Sequence, residues 1–304
     1  MDFGDKLKEL RTAQGLSQEQ LAEKIGVSRQ AITKWETKKG LPDIENMVIL
    51  SELFKMTLDE LVMQESQRRT AEKNCFESET VYDIDGDKHF DIHMGSARSI
   101  SVTSGSDEKI HILLRSETLE NLGSLYKIKL DEKRGNIDVD CIAQKGVTRY
   151  ETEASVDMLL TLPADYTSHV EIAASTSDLR IENIHLDCLE YDGDAKYVYI
   201  RDAIGSIELT SKTNYEITLE GVCTKVDVNQ FSASSVVHIS DPDKYKAVSN
   251  GRKCSIVFRK DGEICGEPLC TNGERIISVS GIRSELVIDC RSASNVYSLL
   301  LKAC

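Results

Sequence analysis

A run of hydrogen-bonding side chains near the amino terminus has the residue types that read DNA. Residues 29–34, RQAITK, leave one edge of a helix polar and turn Ile32 toward a core. The polar edge consists of Arg29, Gln30, Thr33 and Lys34. Guanidinium, amide, hydroxyl and ammonium groups match the donors and acceptors that base pairs expose in the major groove. The pattern therefore predicts a helix whose outer edge contacts DNA bases.

The residues before this helix predict another helix and the tight turn that joins the two. Ser17 suits an N-cap, and Gln20 three residues later completes a capping box, which satisfies free N–H groups of the first turn. Gly26 tolerates the left-handed backbone that ends a helix, and Ser28 suits the cap of the next one. The stretch 18–35, QEQLAEKIGVSRQAITKW, is thus expected to form a helix-turn-helix.

From residue 3 to about residue 64 the sequence resembles the Cro-like phage-repressor family of five-helix domains, also called XRE-type regulators. The caps, the turn glycine, the core spacing and the Trp35–Glu36 ending carry this resemblance. It implies that the second helix of the motif enters the major groove and that Gln18 hydrogen-bonds a phosphate. It also implies a buried ion pair between Arg11 and Glu36. The predicted DNA-contacting residues are Gln18, Ser28, Arg29, Gln30, Thr33, Lys34, Lys38 and Lys39.

Further local signals extend this domain beyond the motif. Pro42 suits the first turn of a fourth helix, where no backbone N–H is needed. Thr57 and Glu60 have the spacing of a second capping box, which predicts a fifth helix. The predicted domains are 1–66 for DNA binding, 67–79 as a polar linker and 80–304 as a β-rich domain.

After residue 80 the sequence alternates apolar and polar residues with period two, and Gly, Asp, Asn and Ser separate the segments. Phrases such as DLRIENI (178–184) and GSIELTS (205–211) recur roughly every 20 to 30 residues. The pattern favours a β-solenoid of stacked rungs, with a large antiparallel β-sandwich as the alternative. The phrases also resemble adhesin-like repeats, which implies a solenoid-like body. The predicted fold class is therefore a two-domain α + β chain.

The charge of the chain limits how it binds nucleic acid. The formal net charge is −14, and residues 1–66 hold nine Lys/Arg and twelve Asp/Glu, which leaves this part at about −3. A strongly acidic protein does not coat DNA non-specifically. We therefore expect DNA affinity to come from a local basic edge together with dimerisation.

Composition also sets expectations for the compartment. Nine scattered cysteines, an odd number, indicate reduced thiols in a cytoplasmic protein rather than a disulfide framework. No apolar run approaches the roughly 20 residues that cross a bilayer, so neither a leader nor a membrane span is expected.

Catalytic residues, a metal and a cofactor are not predicted. The six histidines are dispersed, and the closest pair, His89 and His93, falls on one face of a strand. No third ligand is visible near them in the sequence, which favours a solvated edge strand and leaves a metal or pH role as the weaker alternative. The run 83–87, DIDGD, lacks the glutamate that closes a calcium loop and is interpreted as a turn. We expect no enzymatic activity.

Together these features predict a sequence-specific transcription regulator that binds a palindromic operator in double-stranded DNA as a homodimer, with repression favoured over activation. The β-rich domain would assemble the dimer or receive a signal from an unknown ligand or protein partner. The alternative is a protein-interaction scaffold, in which the β-solenoid binds a partner and the helical domain only assists localisation.

Overall fold

The structure is a computed structural model that describes residues 3–13, 15–37, 39–54, 75–260 and 262–291. The chain divides into two compact units, 1–75 and 76–304. The predicted fifth helix, Lys38 and residues 67–74 of the predicted linker lie outside the described residues.

The helical unit is built around a small apolar core. Its described helices are α1 (Phe3–Ala13), α2 (Gln18–Ile25), α3 (Arg29–Glu36) and α4 (Ile44–Phe54). Leu7, Leu21, Ile32 and Leu50 contribute one fully buried side chain from each helix. Burial of these side chains packs the inner side of α3 against the other helices and leaves its polar edge outside.

Local hydrogen bonds define the ends of α2 and α3. The Ser17 hydroxyl accepts from the Gln20 N–H at 3.1 Å, and the Gln20 side chain accepts from the Ser17 N–H at 2.8 Å. Gly26 has a φ of 74°, the left-handed conformation that ends α2, and the Ser28 hydroxyl accepts from the Ala31 N–H at 3.2 Å. These contacts confirm the predicted helix-turn-helix.

The second unit is mostly β-strand. Its strands are β1 (Phe76–Asp83), β2 (Lys88–Gly105), β3 (Lys109–Ser116), β4 (Tyr126–Lys133), β5 (Asn136–Ala143), β6 (Val156–Pro163), β7 (Thr167–Asp192), β8 (Ala195–Ser211), β9 (Glu216–Phe231), β10 (Ser234–Ile239), β11 (Tyr245–Ser249), β12 (Ser255–Lys260), β13 (Glu263–Cys265), β14 (Arg275–Ile282) and β15 (Glu285–Cys290). The first strand begins at Phe76, before the predicted boundary at residue 80. The described part of this unit also has two short α-helices, α5 (Leu122–Leu125) and α6 (Arg149–Ser155).

All fifteen strands belong to one sheet, which follows the order β1-β3-β6-β2-β7-β8-β9-β10-β15-β12-β13. Strands β4 and β5 join it at β2, and strands β11 and β14 join it at β9. The long central strands β2, β7, β8 and β9 pair in parallel, whereas antiparallel pairs include β1–β3, β3–β6 and β4–β5. Parallel pairing of the central strands excludes a purely antiparallel sandwich.

Over much of their length, successive central strands are offset by 19 residues in sequence, and register shifts change this offset to 18 or 20 elsewhere. Leu179 on β7 pairs with Val198 on β8, and Val198 pairs with Ile217 on β9, which are steps of 19 residues. Asn183 and Asp202, also 19 residues apart, both have a left-handed backbone, with φ of 51° and 49°. Strands β7 and β8 therefore bend at equivalent points within their length.

Alternate residues of the strands point into one continuous core. Phe90 and Ile92 on β2 are completely buried, as is Val170 on β7. The residues between them, such as His89 and Asp91, are partly exposed on the other face. The period-two pattern thus places apolar side chains inside and polar side chains outside, because successive side chains of a strand point to opposite faces.

Helix α6 interrupts the region in which the alternation predicted strands. The Thr148 hydroxyl accepts from the Glu151 N–H at 3.2 Å, and the Glu151 carboxylate accepts from the Thr148 N–H at 2.8 Å. This is a capping box of the same kind as at Ser17, and its T-x-x-E signal is present in the sequence.

Candidate nucleic-acid interface

The outer edge of α3 presents polar side chains to solvent. The side chains of Gln30 and Lys34 are exposed, and that of Arg29 is 64% exposed. Ile32 and Trp35 lie on the opposite side of the helix and are buried. The buried residues fix the rotation of α3 about its axis, so the exposed edge has a defined direction.

Arg29 is only loosely held within the protein. Its guanidinium lies 4.0 Å from the Glu19 carboxylate, whose side chain is 75% exposed. An ion pair this long and this exposed contributes little free energy. The guanidinium therefore loses little when it turns toward another acceptor such as a base edge.

A buried ion pair joins α1 to α3. Arg11 Nε donates to Glu36 Oε1 at 2.6 Å, and Arg11 Nη2 donates to Glu36 Oε2 at 3.2 Å. The two side chains are 11% and 3% exposed, and Arg11 Nη1 also donates to the Leu16 carbonyl at 2.6 Å. A bidentate pair of this geometry sets the orientation of α3 relative to α1.

Two of the predicted DNA contacts belong to the same network. Gln18 Nε2 donates to Glu36 Oε2 at 2.8 Å, and the Thr33 hydroxyl lies 3.1 Å from Gln18 Oε1 and 3.0 Å from the Arg29 carbonyl oxygen. Their polar groups connect the start of α2 to α3 inside the protein. No pattern in the sequence indicates this link, and contact of Gln18 and Thr33 with DNA stays a prediction.

The remaining predicted contacts flank the exposed edge. Ser28 caps α3 and is exposed, and Lys39 is exposed in the turn after α3, where its N–H donates to the Lys34 carbonyl at 2.9 Å. Lys38 lies outside the described residues. Arg29, Lys34 and Lys39 thus place exposed cations along α3 and the turn after it, although residues 1–66 carry a net charge of about −3.

The outer face of the β unit brings together side chains that are far apart in sequence. His89 and His93 lie on the same face of β2, and His89 Nε2 is 3.2 Å from Glu171 Oε1 on β7. The imidazole rings of His89 and His169 have their centroids 4.2 Å apart. Strand β7 thus places two side chains that can bind a metal, His169 and Glu171, beside His89. Neither is close to His89 in the sequence.

Other features of the described residues bear on the class of the protein. None of the eight described cysteines forms a disulfide. Among the helices that the structure describes, none is long and apolar enough to cross a membrane.

Comparison with known proteins relates the helical unit to transcription regulators. Residues 7–61 match the helix-turn-helix family model. The HTH-type transcriptional activator BcrR of Enterococcus faecalis is 49% identical over 72 residues, which are 24% of this chain and 35% of that protein. The transcriptional repressor RstR of the cryptic phage CTXphi in Vibrio cholerae is 34% identical over 61 residues, which are 20% of this chain and 54% of that protein. The chain thus spans about a third to a half of these relatives' length, and its amino-terminal part is a helix-turn-helix domain of XRE type.

Solved structures that are similar to the remainder of the chain are candidate adhesins. A candidate cell adhesion protein from Clostridium sporogenes has 12% identity and a TM-score of 0.37, and covers 72% of this chain and 99% of that chain. A candidate adhesin from Bacteroides fragilis has 11% identity and a TM-score of 0.33, and covers 70% of this chain and 96% of that chain. TM-scores of this size do not establish a common fold.

Proposed function

We propose that this chain is a sequence-specific DNA-binding transcription regulator and that α3 is its recognition helix. The observation that carries the proposal is the exposed edge of Arg29, Gln30 and Lys34 on a helix held by its apolar core and by the Arg11–Glu36 pair. Side chains of these types on a rigid helix match base edges in a major groove. The regulators to which the helical unit is similar support the same function.

The regulator acts as a homodimer on a palindromic operator. A single helix edge with a few cations on an acidic chain has limited affinity, and two copies on one duplex double the number of contacts. The two half-sites are expected about 34–36 Å apart, one turn of DNA, so that both recognition helices enter the same face of the duplex.

We infer repression as the effect on transcription, because a protein bound across a promoter blocks polymerase. One similar regulator is named an activator and another a repressor, so their names support either effect. A reporter gene under the selected operator distinguishes repression from activation. Deletion of a repressor raises expression of the reporter, whereas deletion of an activator lowers it.

We further infer that the β unit is a solenoid that assembles the dimer or receives a signal in the cytoplasm. Parallel pairing of the central strands, the 19-residue offset and the repeated left-handed bends support stacked rungs. The absence of disulfides among the described cysteines supports a reducing compartment.

The test of DNA recognition compares two substitutions that each remove one exposed cation. Operator fragments are selected from genomic DNA with the full chain, and affinity is measured by fluorescence anisotropy. Arg29→Ala should weaken specific binding by about 1–3 kcal/mol, the value of a good base contact. Lys24→Ala, an exposed lysine in the last turn of α2, is the control and should have a much smaller effect. Equal affinities for the two variants would show that α3 does not read the operator.

A further inference from the structure

We propose that the outer face of the β unit binds a divalent transition-metal ion of the Zn²⁺ class through His89, His169, Glu171 and Glu190. These four residues belong to the β unit, whereas the proposed DNA-binding edge belongs to the helical unit.

The register of the strands assembles the four side chains. His89 on β2 pairs directly with His169 on β7, and Glu171 lies two residues further along on the same face as His169. Glu190 lies near the end of β7, beyond the bend at Asn183, and its Oε1 atom is 3.6 Å from His169 Nε2. Strand β2 and the two ends of β7 therefore supply the four side chains.

Three of the distances between the donor atoms suit a small cation. His89 Nε2 is 3.2 Å from Glu171 Oε1, and His169 Nε2 is 3.5 Å from Glu171 Oε1 and 3.6 Å from Glu190 Oε1. Zinc bonds of about 2.0–2.2 Å in a tetrahedron place neighbouring ligand atoms about 3.3–3.6 Å apart. Each of these three separations is thus close to the one that tetrahedral coordination requires.

His169 is the shared member of two possible ligand groups. His89, His169 and Glu171 have donor atoms within 4.8 Å of one another, and so do His169, Cys188 and Glu190. Because the groups overlap at His169, one ion beside its Nε2 atom is within reach of side chains from both.

The Nε2 atom of His169 lacks a suitable partner within the protein. It is shielded from solvent and makes no hydrogen bond with any described residue, although both carboxylates lie within ion-pair distance. Leaving a buried polar atom unsatisfied costs about 1–3 kcal/mol. A metal ion would use the lone pair of the neutral imidazole and remove this cost.

Negative charges are stacked along the same face. Asp91 pairs with Glu171, and Glu190 pairs with Glu208, so carboxylates stand directly opposite each other on neighbouring strands. Like charges in such positions destabilise a sheet. A divalent cation between Glu171 and Glu190 would relieve this repulsion.

The mixture of donors selects the class of ion. Calcium and magnesium favour sites made entirely of oxygen ligands, whereas two imidazoles with two carboxylates suit zinc and similar ions. Cys188 lies beside the site, with its Sγ atom 3.9 Å from Glu190 Oε1.

The test is calorimetric titration of the tag-free full chain with ZnCl₂ after removal of metals by a chelator. We expect one Zn²⁺ per chain. His169→Ala should weaken binding by more than the roughly 10- to 100-fold that the loss of an outer-shell partner costs. His185→Ala removes an exposed histidine from the same strand and should leave the affinity unchanged.

Two further measurements distinguish loss of the metal site from misfolding of the variant and from binding of Zn²⁺ elsewhere on the protein. Glu171→Gln keeps the size of the side chain but removes its charge, and should weaken binding while circular dichroism stays that of the wild type. Co²⁺ in place of Zn²⁺ should give the visible absorption of a tetrahedral ion in the wild type and lose it in His169→Ala. The proposal is overturned if the wild type does not bind Zn²⁺, or if His169→Ala or folded Glu171→Gln binds it as well as His185→Ala does.

Discussion

Replacing Glu36 by methionine removes the anion from the buried ion pair that joins α1 to α3. Arg11 would then keep only the Leu16 carbonyl as an acceptor, and Gln18 Nε2 would lose its partner. With only 11% of the Arg11 side chain exposed, its guanidinium cannot recover full hydration without moving out of the unit.

The expected cost is large for a domain of this size. Breaking a buried pair by removing one partner costs about 3–5 kcal/mol, because the remaining charge is left buried and uncompensated. Whole domains are stable by only about 5–15 kcal/mol. Glu36→Met should therefore remove a large part of the stability of the helical unit. The double variant Arg11→Met with Glu36→Met should be more stable than Glu36→Met alone, since no unpaired charge remains.

Trp35 provides the assay. It is the single tryptophan of the chain and is only 7% exposed in the core of the helical unit. Its fluorescence during urea unfolding of the full chain reports this unit without a signal from the β unit. Linear extrapolation of the transition then gives the free energy of unfolding of each variant.

Glu19→Met is the matched control, because it makes the same chemical change in the exposed pair that Glu19 forms with Arg29. It should alter the free energy of unfolding by no more than about 0.5 kcal/mol. The reasoning is refuted if Glu36→Met costs less than about 1 kcal/mol, below any value expected for an uncompensated buried charge. It is equally refuted if the double variant loses as much stability as the two single variants added together.

Two other predictions concern the β unit. An ideal Cβ atom on Gly193 would lie 1.6 Å from the Ala174 carbonyl oxygen, so Gly193→Ala should lower stability by about 1–3 kcal/mol or more in thermal unfolding followed by circular dichroism. Gly266→Ala is the control, because nothing lies within 4 Å of an ideal Cβ atom there. Equal melting temperatures of the two variants would contradict the close approach of Gly193 to the Ala174 carbonyl. The hydrogen bond to the Asp107 carboxylate raises the pKa of His111 above 6.5, so this contribution to stability is complete below pH 6.5 and is lost as the pH rises through the raised pKa. An NMR titration should show the raised pKa and its decrease in Asp107→Asn, and a wild-type value at or below 6.5 would contradict it.

The helix-turn-helix could be predicted from the sequence because each of its signals acts within a few residues. Ser17 and Gln20 satisfy each other's backbone groups across one turn, and Gly26 ends the helix through its own backbone conformation. The same kind of capping box, formed by Thr148 and Glu151, begins α6. This helix was not predicted, because the residues around it alternate with the period of a strand.

Interactions between helices were harder to predict from the sequence. The resemblance implied that Arg11 meets Glu36, whereas the participation of Gln18 and Thr33 in the same network appeared only in the structure. Amide and hydroxyl groups take many partners, so their types alone do not reveal whether they face DNA or each other.

In the β unit the alternation of residues determined which side chains face the core and which face outward. It did not determine which strands are neighbours, and His89 comes beside His169 and Glu171 only through the parallel register of β2 and β7. Capping and periodicity depend on residues a few positions apart, and the sequence therefore specified them by itself. Register depends on how the apolar faces of distant strands pack together, so only the tertiary structure decided which outward side chains share a site.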